Sequence, residues 1–367
     1  MNADRKTRSY LRLSAFICGQ FFVAFACLAV PGRVSAPSPD SRHPSFARPD
    51  LTFTAVVAAG DETPQLRSIL IEWRGRMLLE HYFNGTHPAA LANLKSASKS
   101  VLAALIGIAL GRGILPSLDA PIAKYFPDLS DPDKQKITIQ DLLTMRSGLE
   151  STSNIHYGTW VGSPNWVRYI LTRPLEAQPG ERMIYSTGNT HLLSAILTEA
   201  AQQSTWQFAQ EALAQPLGFD LPRWSTDPQG IFFGGNDMLM TPRQMLSIGE
   251  LYLHNGRAGD RQIVPQAWVE ASCEGRTRSP RSRESYGYGW WVREFDSFKI
   301  CYAWGFGGQY IFVLPELDLV IVATSSPEES ENLTGRRARL FQLVETQIVS
   351  PIADAREWDR LYAVTGH

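Results

Sequence analysis

The order of the predicted secondary structure is the strongest constraint on how this 367-residue chain folds. Residues 66–83 alternate between apolar and polar side chains around Arg74-Gly75-Arg76, which predicts a β-hairpin. Residues 114–274 have mostly helix and loop signals, and four β-rich segments follow within residues 286–324. We therefore predict an α+β fold, in which both end segments build one antiparallel sheet flanked by helices, with a mostly helical region inserted between them.

The helices are predicted from apolar runs and from their boundary residues. Residues 100–110 are apolar nearly all round, as expected of a helix buried in a domain centre. Thr241-Pro242-Arg243-Gln244 is a capping box with proline at the first helical position, and it predicts a helix through residue 254. Further helices are predicted at 138–145, 188–201 and 340–349.

The N-terminal segment has the pattern of a signal peptide. Four basic residues precede an uncharged run at 13–30, and Val34-Ser35-Ala36 is a small-residue cleavage site. We predict a signal peptide at 1–36, a flexible linker at 37–50, a folded domain at 51–350 and a C-terminal tail at 351–367. This predicts an exported protein, periplasmic or extracellular; the alternative is an uncleaved segment that anchors the chain in a membrane.

Composition excludes several classes of function. A net charge of −1 gives no electrostatic basis for binding nucleic acid. The seven histidines lack paired-ligand spacing, so neither a metal site nor another cofactor is predicted. No G-x-S-x-G motif is present, which argues against an α/β-hydrolase. Cys273 and Cys301 either form a disulfide or remain two buried thiols.

Three motifs offer groups for nucleophilic catalysis. Ser96-Ala97-Ser98-Lys99 begins the buried helix, where a serine and a lysine three positions apart face the same side. Burial lowers the pKa of a lysine, so its neutral amine can take the serine proton. Tyr185-Ser186-Thr187 precedes a second buried helix, and the glycines of the segment Ala303 to Gly308 let a strand approach a ligand closely.

In these motifs and their order, the chain resembles serine hydrolases of the β-lactamase and penicillin-binding protein type. The closest-looking branch contains class C β-lactamases, related esterases and 6-aminohexanoate-dimer hydrolases. Ser96 to Lys99 resembles the family's S-x-x-K, Tyr185 to Thr187 its Y-x-N, and Ala303 to Gly305 its K-T-G or H-x-G. Residues 141–149 are similar to the D-L-L-T-x-x-S-G-L stretch of this branch.

The resemblance implies a covalent mechanism without a cofactor. Ser96 would attack an ester or amide carbonyl, and Lys99 and Tyr185 would relay the proton. The backbone N–H groups of Ser96 and Phe306 would form the oxyanion hole. The residues expected to line the substrate pocket are Thr187, Asn189, Ala303, Trp304, Gly305 and Trp160.

Two departures from the family pattern narrow the expected substrate. Ala303 stands where β-lactamases place a lysine, so the cation for a substrate carboxylate is missing, with Arg182 as a candidate replacement. Thr187 replaces the asparagine of Y-x-N, for which Asn189 is a candidate substitute.

We expect a hydrolase of small esters or amides, including oligoamides of the 6-aminohexanoate type. The alternatives are a β-lactamase or D-peptide hydrolase, and a sensor or binding module of the penicillin-binding type that does not hydrolyse its ligand.

Overall fold

The computed structural model describes residues 49–327 and 333–362. The predicted signal peptide and nearly all of the predicted linker lie outside these ranges. Across the two ranges, no helix combines the length and apolar character that crossing a membrane requires.

The described residues form twelve strands. They are β1 (Leu66–Trp73), β2 (Arg76–Tyr82), β3 (Ala92–Asn93), β4 (Leu239–Met240), β5 (Arg257–Ala258), β6 (Arg261–Gln262), β7 (Thr277–Arg278), β8 (Ser285–Tyr286), β9 (Trp291–Phe295), β10 (Phe298–Gly305), β11 (Gln309–Leu314) and β12 (Leu319–Ser325). Eight of them form one antiparallel sheet in the order β2-β1-β12-β11-β10-β9-β8-β7. The predicted sheet, completed by both ends of the domain, is confirmed.

Eight of the eleven α-helices in the described residues lie between β2 and β7. The eleven are α1 (Thr54–Asp61), α2 (Ser98–Gly111), α3 (Ile139–Leu143), α4 (Tyr157–Val161), α5 (Trp166–Leu171), α6 (Thr187–Ala201), α7 (Thr205–Ala209), α8 (Pro242–Leu253), α9 (Gln266–Ser272), α10 (Leu333–Val344) and α11 (Ser350–Tyr362). The capping box at Thr241 forms as predicted, since its side chain accepts from the Gln244 N–H and the Gln244 side chain accepts from the Thr241 N–H.

The sheet separates two apolar clusters because successive strand residues face opposite sides. Cys301 and Ala303 of β10 belong to the cluster that surrounds α2, α6 and α8. Tyr302 of the same strand belongs to the other cluster, which includes residues of α10 and α11. The end of β10 therefore lies at the boundary between the helical region and the sheet, where the catalytic motifs are expected to meet.

The predicted C-terminal tail at 351–367 is corrected by the structure. A π-helical turn at Glu345–Val349 leads directly from α10 into α11, which continues to Tyr362. Ile352 and Ala355 of α11 are completely buried in the cluster on the sheet. The helix continues past residue 350 because its apolar spacing does, so the folded domain extends at least to residue 362.

Cys273 and Cys301 form a disulfide, with their Cα atoms 5.4 Å apart. Cys273 follows α9, and Cys301 lies in β10, so the bond ties the end of the helical region to the strand that carries Ala303 to Gly305. Closing a loop of 28 residues stabilises the folded state by about 3.5 kcal/mol, mainly by restricting the unfolded chain.

A buried carboxyl pair joins β1 to α8. The Glu72 side chain is 8% exposed, and burial, a hydrogen bond with Glu250 and repulsion from Glu250 and Asp318 raise its pKa to about 8. The pair therefore holds a proton at neutral pH, since two ionised carboxylates would repel each other in this environment. Because the folded-state pKa lies above that of the unfolded chain, its contribution to stability is complete below about pH 4.5 and is lost as the pH rises to about 8.

The substitution Glu72→Gln should remove this loss of stability at high pH. A neutral amide can donate to Glu250 at any pH, so at pH 8 we expect the variant to be more stable than the wild type by about 1–3 kcal/mol. At pH 4.5 the two should unfold alike. Urea unfolding between pH 4.5 and 8 measures the difference, with the exposed Glu294→Gln as control. An unchanged pH slope in Glu72→Gln would show that another group titrates.

Candidate active site

Ser96 lies in a tight 3-10 turn (Lys95–Ala97) that leads directly into α2. Lys95 has a left-handed φ of 49°, which is costly for a residue with a side chain. The Asn93 side chain accepts a hydrogen bond from the Lys95 N–H at 2.9 Å and so supports this conformation. The turn places Ser96, half-buried, at the beginning of the helix.

Lys99 is the centre of the site and is 1% exposed. Its Nζ lies 3.1 Å from Ser96 Oγ, 3.3 Å from Thr187 Oγ1 and 2.8 Å from the Gly235 carbonyl oxygen. The same nitrogen lies 5.2 Å from the centre of the Tyr185 ring. The structure thus brings together Ser96, Lys99 and Tyr185, the three residues that the sequence predicts to be catalytic.

Burial lowers the pKa of Lys99 to about 7, so the neutral amine is well populated at neutral pH. A neutral amine has two N–H donors and one lone pair. The Gly235 carbonyl can only accept, and Thr187 Oγ1 is a second acceptor within reach. With both N–H groups used in this way, the lone pair of Lys99 is left for the Ser96 hydroxyl proton.

Tyr185 faces Ser96 from the loop before α6. Burial raises the pKa of Tyr185 to about 12, and a hydrogen bond with Ser96 offsets part of this rise. The phenol is therefore protonated at neutral pH. Its ring stacks on Trp291 at a centroid distance of 6.0 Å and packs edge-on against Tyr286, which fixes its orientation.

The Gly235 carbonyl is a functional group that the sequence analysis does not assign. The chain crosses α6 closely here, and a Cβ atom at Gly234 would collide with the Thr190 backbone. A Cβ atom at Gly235 would stand 3.2 Å from Lys99 Nζ. The glycine pair therefore allows the backbone to reach the lysine, and this doublet is the sequence signal that points to it.

The end of β10 lies against the turn that carries Ser96. A Cβ atom at Gly305 would collide with the Leu94 carbonyl, so only glycine permits this approach. Phe306 follows directly, with a side chain that is 47% exposed. Ser96 and Phe306, whose N–H groups are the predicted oxyanion donors, thus belong to neighbouring segments.

Asn189 and Trp160, two of the predicted pocket residues, do not face the site. Asn189 is completely buried and accepts a hydrogen bond from the Ser147 hydroxyl at 2.9 Å. Two residues along a helix rotate a side chain by about 200°, so Asn189 faces away when Thr187 faces Lys99. Trp160 is also completely buried, packed among aromatic rings that include Trp166 and Phe233.

Two further residues that were predicted to line the pocket, Ala303 and Trp304, lie on opposite faces of β10. Ala303 is fully buried towards the helical region, and its methyl group supplies no charge. Trp304 faces the other side, 6.1 Å from Trp291 between ring centres, with the Arg337 guanidinium 4.4 Å above it. Arg182, the candidate carboxylate anchor, is instead exposed and donates to the Glu176 backbone carbonyl at 3.0 Å.

The described residues contain no group of three His, Cys, Asp or Glu side chains placed to hold a metal ion. The chemistry available from the assembled side chains is that of a hydroxyl nucleophile, a buried amine that is partly neutral at pH 7 and a protonated phenol. These are the components of acyl transfer through a covalent serine intermediate.

Comparisons with known proteins identify the family and the fold of the chain. A model of the beta-lactamase family matches residues 68–344. No curated protein sequence is significantly similar to the chain.

Several solved structures share the fold. One is a penicillin-binding protein homologue from Caulobacter crescentus, with 16% sequence identity, a TM-score of 0.68 and a match that covers 82% of this chain and 99% of that one. Another is a D-stereospecific amidohydrolase from Streptomyces sp., with 14% identity, a TM-score of 0.64 and coverage of 81% of this chain and 99% of that one. A third is EstCE1, a hydrolase with promiscuous acyltransferase activity, with 17% identity, a TM-score of 0.63 and coverage of 83% of this chain and 96% of that one. The family model covers most of the chain. The protein therefore belongs to the beta-lactamase family of serine hydrolases.

Proposed function

We propose that the protein is an exported hydrolase that cleaves small esters or amides through an acyl-enzyme on Ser96. The observation that carries this proposal is the buried amine of Lys99, 3.1 Å from Ser96 Oγ and with a pKa lowered to about 7. A base with a pKa near the working pH combines a useful neutral fraction with sufficient basicity.

In the first half of the proposed reaction, Lys99 takes the hydroxyl proton of Ser96 while Oγ attacks the substrate carbonyl carbon. The N–H groups of Ser96 and Phe306 stabilise the oxyanion. Tyr185, as a neutral phenol, gives its proton to the departing oxygen or nitrogen and receives the proton held by Lys99. The acyl group is then bonded to Ser96, and the leaving group is neutral.

In the second half, a water molecule attacks the acyl-enzyme and gives its proton to the Tyr185 and Lys99 relay. The tetrahedral intermediate collapses, the acid product leaves, and Ser96 regains its proton. No cation at position 303 is available for the carboxylate of a β-lactam, which favours esters and linear amides over β-lactams. The names of two similar structures, an amidohydrolase and a hydrolase with acyltransferase activity, agree with this choice.

Export is part of the proposal. The basic segment and the apolar run that follows it at the N-terminus have the pattern of a signal peptide. The disulfide between Cys273 and Cys301 fits the oxidising environment that an exported protein meets.

Intact-mass measurement after incubation with a fluorophosphonate probe tests the proposal. We expect a single adduct on the wild type and none on Ser96→Ala, since only an activated hydroxyl reacts with the probe. The labelled protein should lose its hydrolysis of 4-nitrophenyl esters in parallel. A folded wild type that forms no adduct would contradict an activated Ser96 and would favour a binding module. Rapid turnover of a chromogenic cephalosporin would instead favour a β-lactamase.

A further inference from the structure

Two residues beside the active site have a left-handed backbone although neither is glycine. Lys95, directly before Ser96, has a φ of 49°, and Asp237, two residues after Gly235, has a φ of 64°. Such a conformation is costly for most residues with a side chain and persists only where surrounding contacts hold it. The fold therefore gives up stability next to the nucleophile and next to the carbonyl that binds Lys99, which points to a function for the contacts of these two residues.

The side chain of Asn93 connects these two positions. Its Oδ1 accepts from the Lys95 N–H at 2.9 Å, and its Nδ2 donates to Asp237 Oδ1 at 2.9 Å. The other carboxylate oxygen of Asp237 accepts from the Ser225 hydroxyl at 2.7 Å. Lys95 Nζ lies 3.9 Å from Asp237 Oδ1, an ion pair between partly exposed side chains that contributes little to stability. The hydrogen bonds of the carboxylate, rather than its charge, are therefore the main link between the two segments.

This link lies where the two segments stop pairing through their backbones. The Leu94 N–H donates to the Met238 carbonyl at 2.9 Å, which adds one hydrogen bond to the short pairing of β3 with β4. Ser96 and Gly235 lie beyond this bond, one on each segment. The side-chain link through Asn93 therefore holds the turn that carries the nucleophile against the segment that carries the Gly235 carbonyl.

We propose that Asp237 is a positioning residue that holds the Gly235 carbonyl where it orients the amine of Lys99. Lys99 Nζ lies 2.8 Å from that carbonyl oxygen and 3.1 Å from Ser96 Oγ. When the carbonyl accepts one N–H of the neutral amine, the lone pair is free to face Ser96. A displacement of the carbonyl by about 1 Å would turn the amine, and misplacements of this size can lower a rate by about a hundredfold. The inference rests on the proposed function and adds to it a residue that acts through other groups.

Three substitutions separate the hydrogen bonds of Asp237 from its charge and from its backbone. Asp237→Gly removes the side chain, and because glycine adopts a positive φ freely, the relief of backbone strain offsets part of the lost bonding. Asp237→Asn removes the charge but keeps an oxygen that accepts from Asn93 and gains an amide that donates to Ser225 Oγ. Asp296→Gly is the matched control, since Asp296 also has a positive φ, of 49°, and is exposed in the turn between β9 and β10.

Hydrolysis of a 4-nitrophenyl ester measures the effect on the rate. Asp237→Gly should lower kcat/KM by about tenfold to a hundredfold, because the base is misplaced. Asp237→Asn should recover the wild-type value to within about threefold, since its hydrogen bonds are kept, and Asp296→Gly should leave it unchanged. A wild-type rate in folded Asp237→Gly, or an equal loss in Asp237→Asn, would overturn the inference while leaving the hydrolase proposal intact.

Asn93→Ala cuts the same link from the other segment. It should lower kcat/KM in the same direction, and the two losses should not multiply in the double variant with Asp237→Gly, because each change breaks the same hydrogen bond. Fully multiplicative losses would show that the two side chains act independently.

Titration of Lys99 tests the inference without any hydrolysis. The chain has seven lysines, so with isotope-labelled lysine the magnetic resonance signal of Lys99 is the one that is missing from Lys99→Arg. A carbonyl acceptor stabilises the ammonium form more than the neutral amine, so displacing the Gly235 carbonyl should lower the pKa of Lys99 further below its ordinary value.

Asp237→Asn measures the effect of the lost charge alone on this titration. Asp237→Gly should move the midpoint to lower pH by at least about half a pH unit more than Asp237→Asn does. Equal midpoints in the two variants would contradict the role of Asp237 even if no ester were hydrolysed. The expected difference in a protein that hydrolyses no ester would instead contradict the proposed function alone.

Discussion

The substitution Ser96→Ala is expected to lower kcat/KM for ester hydrolysis by at least about 10⁴-fold, because it removes the hydroxyl that lies 3.1 Å from Lys99 Nζ and forms the acyl-enzyme in the proposed mechanism. Rapid mixing with a 4-nitrophenyl ester should give one equivalent of nitrophenol in a burst with the wild type, and no burst with the variant. The fold should be retained, since Ser96 is half-buried and the methyl group of alanine fits the same turn.

Ser98→Ala is the matched control for this experiment. Ser98 lies two residues further along the same segment, and its hydroxyl accepts from the Met238 N–H at 3.3 Å. The control should therefore keep the burst, although with some loss of stability. A full burst in Ser96→Ala would mean that a different residue is the nucleophile.

The second large effect is expected from Lys99. Replacing Lys99 by alanine removes the base and should lower kcat/KM by about 10²–10⁴-fold. In the wild type, kcat/KM should rise with pH and level off above about pH 7, because the reactive form is the neutral amine. This rise should be absent from the residual activity of Lys99→Ala.

Lys99→Arg and Lys299→Ala complete the comparison. Arginine keeps the positive charge but cannot act as a base near neutral pH, so Lys99→Arg should be as impaired as Lys99→Ala. Lys299 is exposed on β10, and its removal should leave both the rate and the pH profile unchanged. Full activity in Lys99→Arg would contradict the proton transfer from Ser96 to Lys99.

Local sequence patterns predict those parts of the molecule that local interactions determine. The β1–β2 hairpin follows from strand alternation around Arg74 and Gly75, both of which have a positive φ. The proximity of Ser96 to Lys99 follows from their spacing at the beginning of one helix.

The contacts between distant segments are the ones that the sequence left open. The Gly235 carbonyl reaches Lys99 across 136 positions, and the disulfide at Cys301 depends on how α9 packs beside β10. The buried position of Trp160 is not predictable from the sequence, because α4 has only five residues, too few for apolar periodicity to reveal its buried face.

The pairing of β1 with β12 has a consequence for how the protein acquires its activity. Ser68 and Thr324, which share a hydrogen bond across these strands, are separated by 256 positions in the chain. During synthesis, β1 has no partner on this side until almost the whole domain has been made, because its neighbour in the sheet is the last strand.

A nascent chain that already contains Ser96, Lys99 and Tyr185 still lacks β10, the strand that completes the active site. Completion of the sheet must therefore wait until β12 has been synthesised, and the large sequence separation of the two strands is expected to slow this step. Until the sheet is complete, the edge of β1 is exposed to pairing with other chains, so aggregation competes with the appearance of activity.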